Sequence, residues 1–124
     1  MSWELGREVK HTSKVIYVVL EDKSKAYLKY QVEGKVMKLV ETYTPPQHRG
    51  KGIGNVLVNY AIDLAKSNEW LIEPICSYTI YYFMRNKDKR FVLVEEYRDL
   101  SEEKWVSLFE SAKRREAEQR REQS

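Results

Sequence analysis

Residues 45–55 read PPQHRGKGIGN and stand where the residue pattern of the chain changes from strand to helix. The two prolines end a strand, because neither can donate a hydrogen bond to a sheet. Three alternate glycines, Gly50, Gly52 and Gly54, then allow a sharp turn and a close approach of the backbone to a ligand. The segment therefore predicts a tight turn that leads directly into a helix.

The start of that helix has the properties of a phosphate site. Its first backbone N–H groups have no partner within the helix, and the helix dipole is positive at this end. Together they bind phosphate oxygens, and Arg49 and Lys51 add positive charge at the rim. A plain connection between strand and helix, without a ligand, stays open as the alternative.

Two familiar phosphate loops are excluded by their spacing. The Walker motif requires Lys and then Ser or Thr after its last glycine, where this chain has Asn55 and Val56. The dinucleotide motif requires G-x-G-x-x-G, where this chain has G-x-G-x-G. What remains is the pattern R-x-x-G-x-G, which runs from Arg49 to Gly54.

Upstream of the turn, the residue pattern predicts three strands. Residues 14–20 are rich in β-branched residues and Tyr, residues 25–33 alternate apolar with polar, and residues 35–44 continue the series. A polar turn at 21–24 and a turn at Gly34 separate these strands. Because both connections are short, an antiparallel meander is the simplest topology.

Downstream of the turn, helical and strand patterns alternate. Apolar residues recur at helical spacing over 53–66. Residues 70–76 predict a short strand, in which Pro74 indicates a bulge or an unpaired edge. A second helix, with Ser77 as its N-cap, is expected to run to Arg85.

The C-terminal part predicts one more strand and one more helix. Residues 91–95 have the composition of a strand, and apolar residues at 105–112 follow the i, i+3, i+4, i+7 spacing of a helix. Residues 113–124 have almost no apolar content and are expected to fray as a charged tail. We interpret the chain as one domain at 1–112 followed by that tail.

The order of the elements indicates an α+β fold with a mixed sheet and helices packed on it. A chain of 124 residues, 42% of them hydrophobic, suits a single domain. The lone cysteine, Cys76, excludes an intrachain disulfide. No apolar run approaches the roughly 18 residues that a membrane span needs. We therefore expect a cytoplasmic protein without a membrane span.

At this point two segments resemble a known family. The run PPQHRGKGIGNVLVNYAIDLAK, residues 45–66, resembles the pyrophosphate-binding motif Q/R-x-x-G-x-G/A of the GNAT N-acetyltransferases, which lies between the fourth strand and the next helix. The segment EPICSY, residues 73–78, resembles a Pro-x-Cys-Pro-aromatic segment of short GNAT-like proteins. Two departures are Glu41, where that group has His, and Ser77, where it has Pro. The resemblance spans about residues 11–94.

The resemblance implies a GNAT-like fold whose fourth and fifth strands, central in the sheet, splay apart around the pantetheine arm of acetyl-CoA. The strand that ends near Thr44 would contact that arm, and the turn would hold the pyrophosphate. It implies acetyl transfer to an amine, which could be a protein lysine, a polyamine or a small amine. The implied cofactor-binding residues are Thr42, Tyr43, Thr44, Arg49, Gly50, Lys51, Gly52, Ile53, Gly54 and Asn55.

Three catalytic candidates follow from the same resemblance. Direct attack of an amine needs a route for its proton and an acid for the departing thiolate. Glu41 is the candidate base, with a solvated strand carboxylate as the alternative. Cys76 is the candidate acyl carrier or acid, with a small buried side chain as the alternative. Tyr78 is preferred over Tyr81 and Tyr82 as the acid, and one or two of the three are expected to pack in the core.

Other functional interpretations stay open. A module that binds coenzyme A with little or no turnover is the main alternative, because a fold does not determine its function. The net charge of +3 is mild, and acidic residues alternate with the basic ones of the tail, which disfavours nucleic-acid binding. His48 is expected at the surface, and no metal site is predicted. The terminal helix predicts a monomer or a weak homodimer.

Overall fold

The computed structural model of the chain describes residues 8–123. The strands are β1 (Lys10–His11), β2 (Val15–Val19), β3 (Lys25–Glu33), β4 (Val36–Tyr43) and β5 (Leu71–Pro74). The helices are α1 (Ile53–Asn68), α2 (Ser77–Arg85), α3 (Glu95–Arg98) and α4 (Glu102–Gln123), with short 3₁₀ helices at Pro46–His48 and Lys87–Val92.

The five strands form one mixed sheet in the order β1-β2-β3-β4-β5. The first four are antiparallel neighbours, and β5 joins β4 in parallel after the crossover through α1. A bulge interrupts the β3–β4 ladder, because Lys29 pairs with Glu41 while Tyr30 pairs with Leu39. The predicted meander and α+β class are confirmed. The two-residue strand β1 was not predicted, since it is too short to show a pattern.

The core lies between one face of the sheet and the helices α1 and α2. Apolar residues that alternate along the strands point to this face, and the apolar stripe of α1 packs on them. Each large aliphatic side chain buried here contributes about 1.5–3 kcal/mol. Prominent members of this core are Ile16, Val18, Leu28, Met37, Leu39, Leu57, Val58, Ala61, Ile72 and Phe83.

The opposite face of the sheet is largely open to solvent. Val19 and Leu71 are exposed there, and the Tyr27 and Tyr43 rings lie 5.4 Å apart between centroids. The alternation of inward and outward residues along β2 and β3 produces this two-sided sheet.

The long helix α4 packs against α2 at the edge of the domain. The side chain of Trp105, a residue of α4, is fully buried, and the Arg90 guanidinium carbon lies 4.7 Å from the centroid of the Trp105 ring. Further along, Ala112 is also fully buried. The helix predicted from the apolar residues at 105–112 is therefore confirmed, and it packs mainly on α2.

The strand predicted for residues 91–95 is wrong. The chain instead forms the 3₁₀ helix and α3, and an isolated bridge between Ile72 and Leu93 is the strand-like pairing that remains. Arg90 donates to the carbonyl of Phe83 and ties this segment to the end of α2. Val92, Leu93 and Val94 are buried beside β5, whereas Phe91 is exposed. Tertiary packing thus overrides the strand propensity of these residues.

The frayed tail predicted for residues 113–124 is wrong as far as Gln123, because α4 continues through it. Its Glu, Arg, Gln and Ala residues are good helix formers, and Glu118 pairs with Arg121 one turn on. The division of the chain after residue 112 stays a prediction, although the helix crosses it without interruption.

The predicted capping role of Ser77 is also wrong. Cys76 is the N-cap residue of α2, and Ser77 is the first residue within the helix. The Ser77 hydroxyl instead donates to Glu116 of α4 at 2.7 Å.

None of the helices among residues 8–123 is both long and apolar enough to cross a membrane. Within the same residues, no group of three or more His, Cys, Asp or Glu side chains is placed to hold a metal ion.

Candidate functional site

The strands β4 and β5 diverge beyond Leu39. Their pairing ends at Leu39 and Pro74, whereas β4 continues through residues 40–43 alongside β3. Pro74 has no N–H to donate, and the Leu39 carbonyl accepts from the amides of both Ile75 and Cys76, at 3.0 and 3.1 Å. This shared acceptor ends the ladder, and a gap opens beside β4. The diverging pair thus lies at one edge of the sheet rather than in its centre.

The turn between β4 and α1 depends on two glycines. Gly50 and Gly52 have φ angles of 80° and 81°, in the left-handed region that strains any other residue. Gly52 is the N-cap of α1 and offers no side chain to the first amides, and the first turn of the helix has no acidic residue. The amides of Ile53, Gly54 and Asn55 therefore form a positive end that no side chain neutralises.

Gly54 is a glycine for a different reason, because Tyr78 lies directly on it. A Cβ at this position would come within 2.6 Å of Tyr78 Cζ and Oη. The Tyr78 hydroxyl donates to Asn55 Oδ1 at 2.7 Å. The tyrosine of α2 thereby lies across the first turn of α1.

A hydrogen-bonded anchor holds the turn from the other side. Asp22, in the turn after β2, accepts from Gln47 Nε2 at 3.0 Å and lies 3.0 Å from His48 Nε2. Its other oxygen accepts from the amide and hydroxyl of Ser24. These hydrogen bonds, that of Gln47 foremost, hold the pKa of Asp22 well below its usual range.

One cleft of about 620 Å³ collects most of the predicted cofactor residues. It lies between the end of β4, the turn, the start of α1 and the ring of Tyr78. Its lining contains no Asp or Glu among the described residues, so that it suits an anion. The lining residues are Thr42, Tyr43, Thr44, His48, Arg49, Gly50, Gly52, Ile53, Gly54, Asn55, Tyr78 and Lys113. Lys51 of the predicted set is exposed and does not line it.

Arg49 is fixed at the rim of this cleft. Its Nε donates to the Thr44 carbonyl at 2.9 Å, and its guanidinium carbon lies 6.0 Å from the centroid of the Tyr43 ring. The charge is therefore held beside the end of β4, where a polyanion entering the cleft would meet it.

Cys76 lies next to the cleft but does not line it. Its side chain is only 5% exposed, and Sγ lies 3.3 Å from both Thr42 Oγ1 and Thr79 Oγ1. Thr42 stands between the thiol and the cleft, since it both lines the cleft and contacts the sulfur.

Glu41 lies on the opposite, open face of the sheet. It accepts from the Tyr27 hydroxyl at 3.1 Å and pairs with Lys29 at 3.5 Å. Burial, followed by the charge of Glu41, raises the pKa of Tyr27. Because neighbouring residues of a strand point to opposite faces, Glu41 and Thr42 are not brought together.

Of the three tyrosines, Tyr78 alone lines the cleft. Burial is the main cause that raises its pKa. Tyr82 is buried and donates to Asn59 at 2.5 Å, one turn further along the same two helices. Tyr81 is exposed, with its ring 5.8 Å from that of Phe109. The expectation that some of these tyrosines pack in the core is confirmed for Tyr82.

Three residues of the site were not identified from the sequence. His48 was expected at the surface, but its side chain is only 15% exposed, lines the cleft and contacts Asp22. Glu116 accepts from the amide and hydroxyl of Ser77 at 2.8 and 2.7 Å. Lys113 reaches the cleft from α4. Glu116 and Lys113 lie in the segment that was predicted to be a tail, where no local pattern indicates a contact with a site that is distant in sequence.

Comparisons with known proteins agree with this geometry. The family model of the GCN5-related N-acetyltransferases matches residues 15–92, which is more than half of the chain. The fold is similar to the solution NMR structure of a GCN5-like protein from Staphylococcus aureus, with a TM-score of 0.58 and 19% identity. That match covers 76% of this chain and 96% of the other. The chain therefore belongs to the GCN5-related N-acetyltransferases, a family of acetyl-transferring enzymes.

Proposed function

We propose that the protein transfers the acetyl group of acetyl-CoA to an amine. The observation that carries this proposal is the cleft beside diverging strands, which ends at a helix N-terminus without a neutralising acid. Acetyl-CoA supplies an activated thioester on a long, polyanionic carrier. The residues of the cleft fit this carrier, because free backbone amides and positive charge lie beside the gap between β4 and β5.

The turn and the strand would bind different parts of the cofactor. The amides of Ile53, Gly54 and Asn55 face the anion site and would hold the pyrophosphate, with Arg49 at the rim. Residues 40–43 of β4 have no strand partner on the β5 side within the described chain, so that their backbone can bind the amides of the pantetheine arm. This arrangement would position the thioester beside Thr42 and Tyr78.

Tyr78 is the residue that we propose to protonate the departing sulfur. The Tyr78 hydroxyl carries a proton that it donates to Asn55, and a rotation of the hydroxyl would redirect that proton into the cleft. Glu41 on the open face would accept the proton of the incoming amine, directly or through water, once it leaves Lys29. The burial of Cys76 and its two threonine contacts favour a packing role over an acyl carrier.

The acceptor is proposed as an amine only in general terms. A protein lysine, a polyamine and a small amine are all compatible with the open side of β4. There the Glu41 carboxylate and the Tyr27 ring lie beside Lys29, whose ammonium group an incoming amine would replace.

Titration calorimetry with acetyl-CoA tests the proposal. We expect micromolar binding that is lost in Gly52→Asp, since a carboxylate would enter the anion site. Gly34→Asp is a matched control, because Gly34 also has a positive φ, of 61°, but lies in the distant β3–β4 turn. Absence of binding at millimolar acetyl-CoA would contradict the proposal, as would equal losses in the two variants.

A second candidate is a coenzyme A-binding module without turnover. It is favoured by the separation of Glu41 from Tyr78, which lie on opposite sides of the sheet. A panel of lysine peptides, polyamines and small amines, assayed for acetylation at saturating acetyl-CoA, separates the two. Binding without acetylation of any amine would support the module.

A further inference from the structure

The helix α4 lies outside the part of the chain that matches the family model. That match ends at residue 92, whereas α4 begins at Glu102. The helix nevertheless reaches the cleft, because Lys113 is one of its lining residues. The contribution of α4 to the cleft therefore comes from a part of the chain that the family model does not cover.

The position of Lys113 is fixed by contacts on both sides of it. The preceding residue, Ala112, is fully buried. Two and three residues further on, Arg115 donates to the Ile75 carbonyl at 2.9 Å and Glu116 accepts two hydrogen bonds from Ser77. These hydrogen bonds are made with residues 75–77, at the start of α2. The backbone of Lys113 is thus docked rigidly, although its side chain is exposed.

The ammonium group of Lys113 has no ion pair or hydrogen bond with a side chain in the described part of the chain. Its neighbours along the helix differ in this respect, since Arg114 donates to Ser111 and Arg115 to Ile75. The cleft lining also contains the charged side chain of Arg49. Two positive charges therefore face a cleft that has no acidic lining residue among those described.

We propose that Lys113 binds a phosphate group of coenzyme A and so makes α4 part of the cofactor site. The inference rests on the proposed function and adds a residue to it. An ammonium group pairs with phosphate through charge-assisted hydrogen bonds. The phosphate is either one of the pyrophosphate pair or the 3′-phosphate of the ribose, and the two are distinguishable by choice of ligand.

The experiment measures the dissociation constants of coenzyme A, 3′-dephospho-coenzyme A and pantetheine by calorimetry. The variants are Lys113→Gln, Lys113→Arg and Lys104→Gln. Lys104 is a matched control, because it undergoes the same change on the same helix, about 14 Å away at 1.5 Å per residue.

For Lys113→Gln we expect about tenfold weaker binding of coenzyme A, as for the loss of one charge-assisted hydrogen bond. Lys113→Arg should bind within about threefold of wild type, and Lys104→Gln should be unchanged. The loss should shrink at high salt, because screening weakens an exposed charge pair. A loss that persists with 3′-dephospho-coenzyme A assigns Lys113 to the pyrophosphate, and one that disappears assigns it to the 3′-phosphate.

The proposal is overturned if wild type binds coenzyme A and Lys113→Gln binds it equally well. It is also overturned if Lys104→Gln loses as much affinity, or if Lys113→Gln weakens binding of the phosphate-free pantetheine to the same degree. Failure of wild type to bind coenzyme A at all is a different result, since it contradicts the proposed function itself.

Discussion

Tyr78 and Gly54 determine the shape of the cleft at the scale of single residues. The tyrosine ring occupies the space that a Cβ at Gly54 would need, and its hydroxyl bonds to the next residue of α1. Gly52, by contrast, is constrained by its backbone angle and has open space around it. The glycines of the motif thus serve two purposes, of which only the turn is visible in the sequence.

This contact predicts that the effect of Gly54→Ala on the free energy of unfolding changes sign when Tyr78 is removed. Overpacking against Tyr78 costs about 1–3 kcal/mol, whereas the gain in helix propensity over glycine is at most about 1 kcal/mol. Gly54→Ala should therefore destabilise the wild-type protein but stabilise the Tyr78→Ala variant. Urea unfolding of the four proteins measures this coupling. Equal effects of Gly54→Ala in both backgrounds would show that the two residues do not interact.

The proposed role of Tyr78 predicts a loss of rate rather than of affinity. Tyr78→Phe keeps the ring but removes the proton donor, so that kcat should fall about a hundredfold while acetyl-CoA binding changes little. Tyr82→Phe is the matched control, because the Tyr82 hydroxyl makes the equivalent bond to Asn59 away from the cleft. A kcat for Tyr78→Phe equal to that of Tyr82→Phe would rule out the proton-donating role.

At the scale of elements, α2 begins with an unusual cap. Its N-cap residue, Cys76, makes no side-chain bond to the helix amides, and Glu116 of α4 supplies the acceptor instead. A carboxylate at this end also interacts favourably with the helix dipole. The cap therefore joins α4 to the domain at the point where the β4–β5 gap opens.

Removal of this cap should loosen α4. Glu116→Ala is expected to lower the free energy of unfolding by about 1–2 kcal/mol, in the range of lost capping interactions. Glu110→Ala, an exposed position on the same helix, should change it by less than about 0.5 kcal/mol. Thermal or urea unfolding provides the comparison, and similar effects of the two substitutions would contradict the capping role.

The hydrogen bonds of Asp22 that anchor the turn predict that the free energy of unfolding depends on pH. The folded-state pKa of Asp22 is lower than the value of 3.8 that an aspartate has in an unfolded chain, so that its contribution to stability is present above about pH 4. It is lost as the pH falls from there toward the folded-state pKa. Asp22→Asn should therefore unfold at lower urea than wild type at pH 7, with a smaller difference at pH 3. The exposed Asp63→Asn is the control, and a difference that does not change with pH would contradict this account.

The elements that were predicted correctly are those with local signals. The meander, the turn at 45–55 and α1 each show alternation, prolines and glycines, or helical spacing within a few residues. The strand predicted at 91–95 is absent because tertiary packing beside β5 buries Val92, Leu93 and Val94 without a strand ladder. For α4, the stripe at 105–112 was visible, but its continuation to Gln123 depends on contacts such as that between Glu116 and Ser77, which no periodicity reveals.

At the scale of the whole molecule, the site joins parts of the chain that are far apart in sequence. The cleft combines the end of β4, the turn, α2 and α4, which span residues 42–113. The residues of the turn could be predicted because they are contiguous, whereas Lys113 and Glu116 could not. The separation of Glu41 from the cleft also follows from the whole sheet, since the bulge in β4 determines which residues of its end point inward.

The most direct test of the account is a titration of ¹⁵N-labelled protein with coenzyme A, followed by the backbone amide chemical shifts. We expect saturable changes that are largest at residues 40–44 and 50–56, with a smaller group around Lys113 and little change on the open face of β2 and β3. Saturable changes concentrated elsewhere, or none at millimolar ligand, would contradict the assignment of the cofactor site to the turn between β4 and α1.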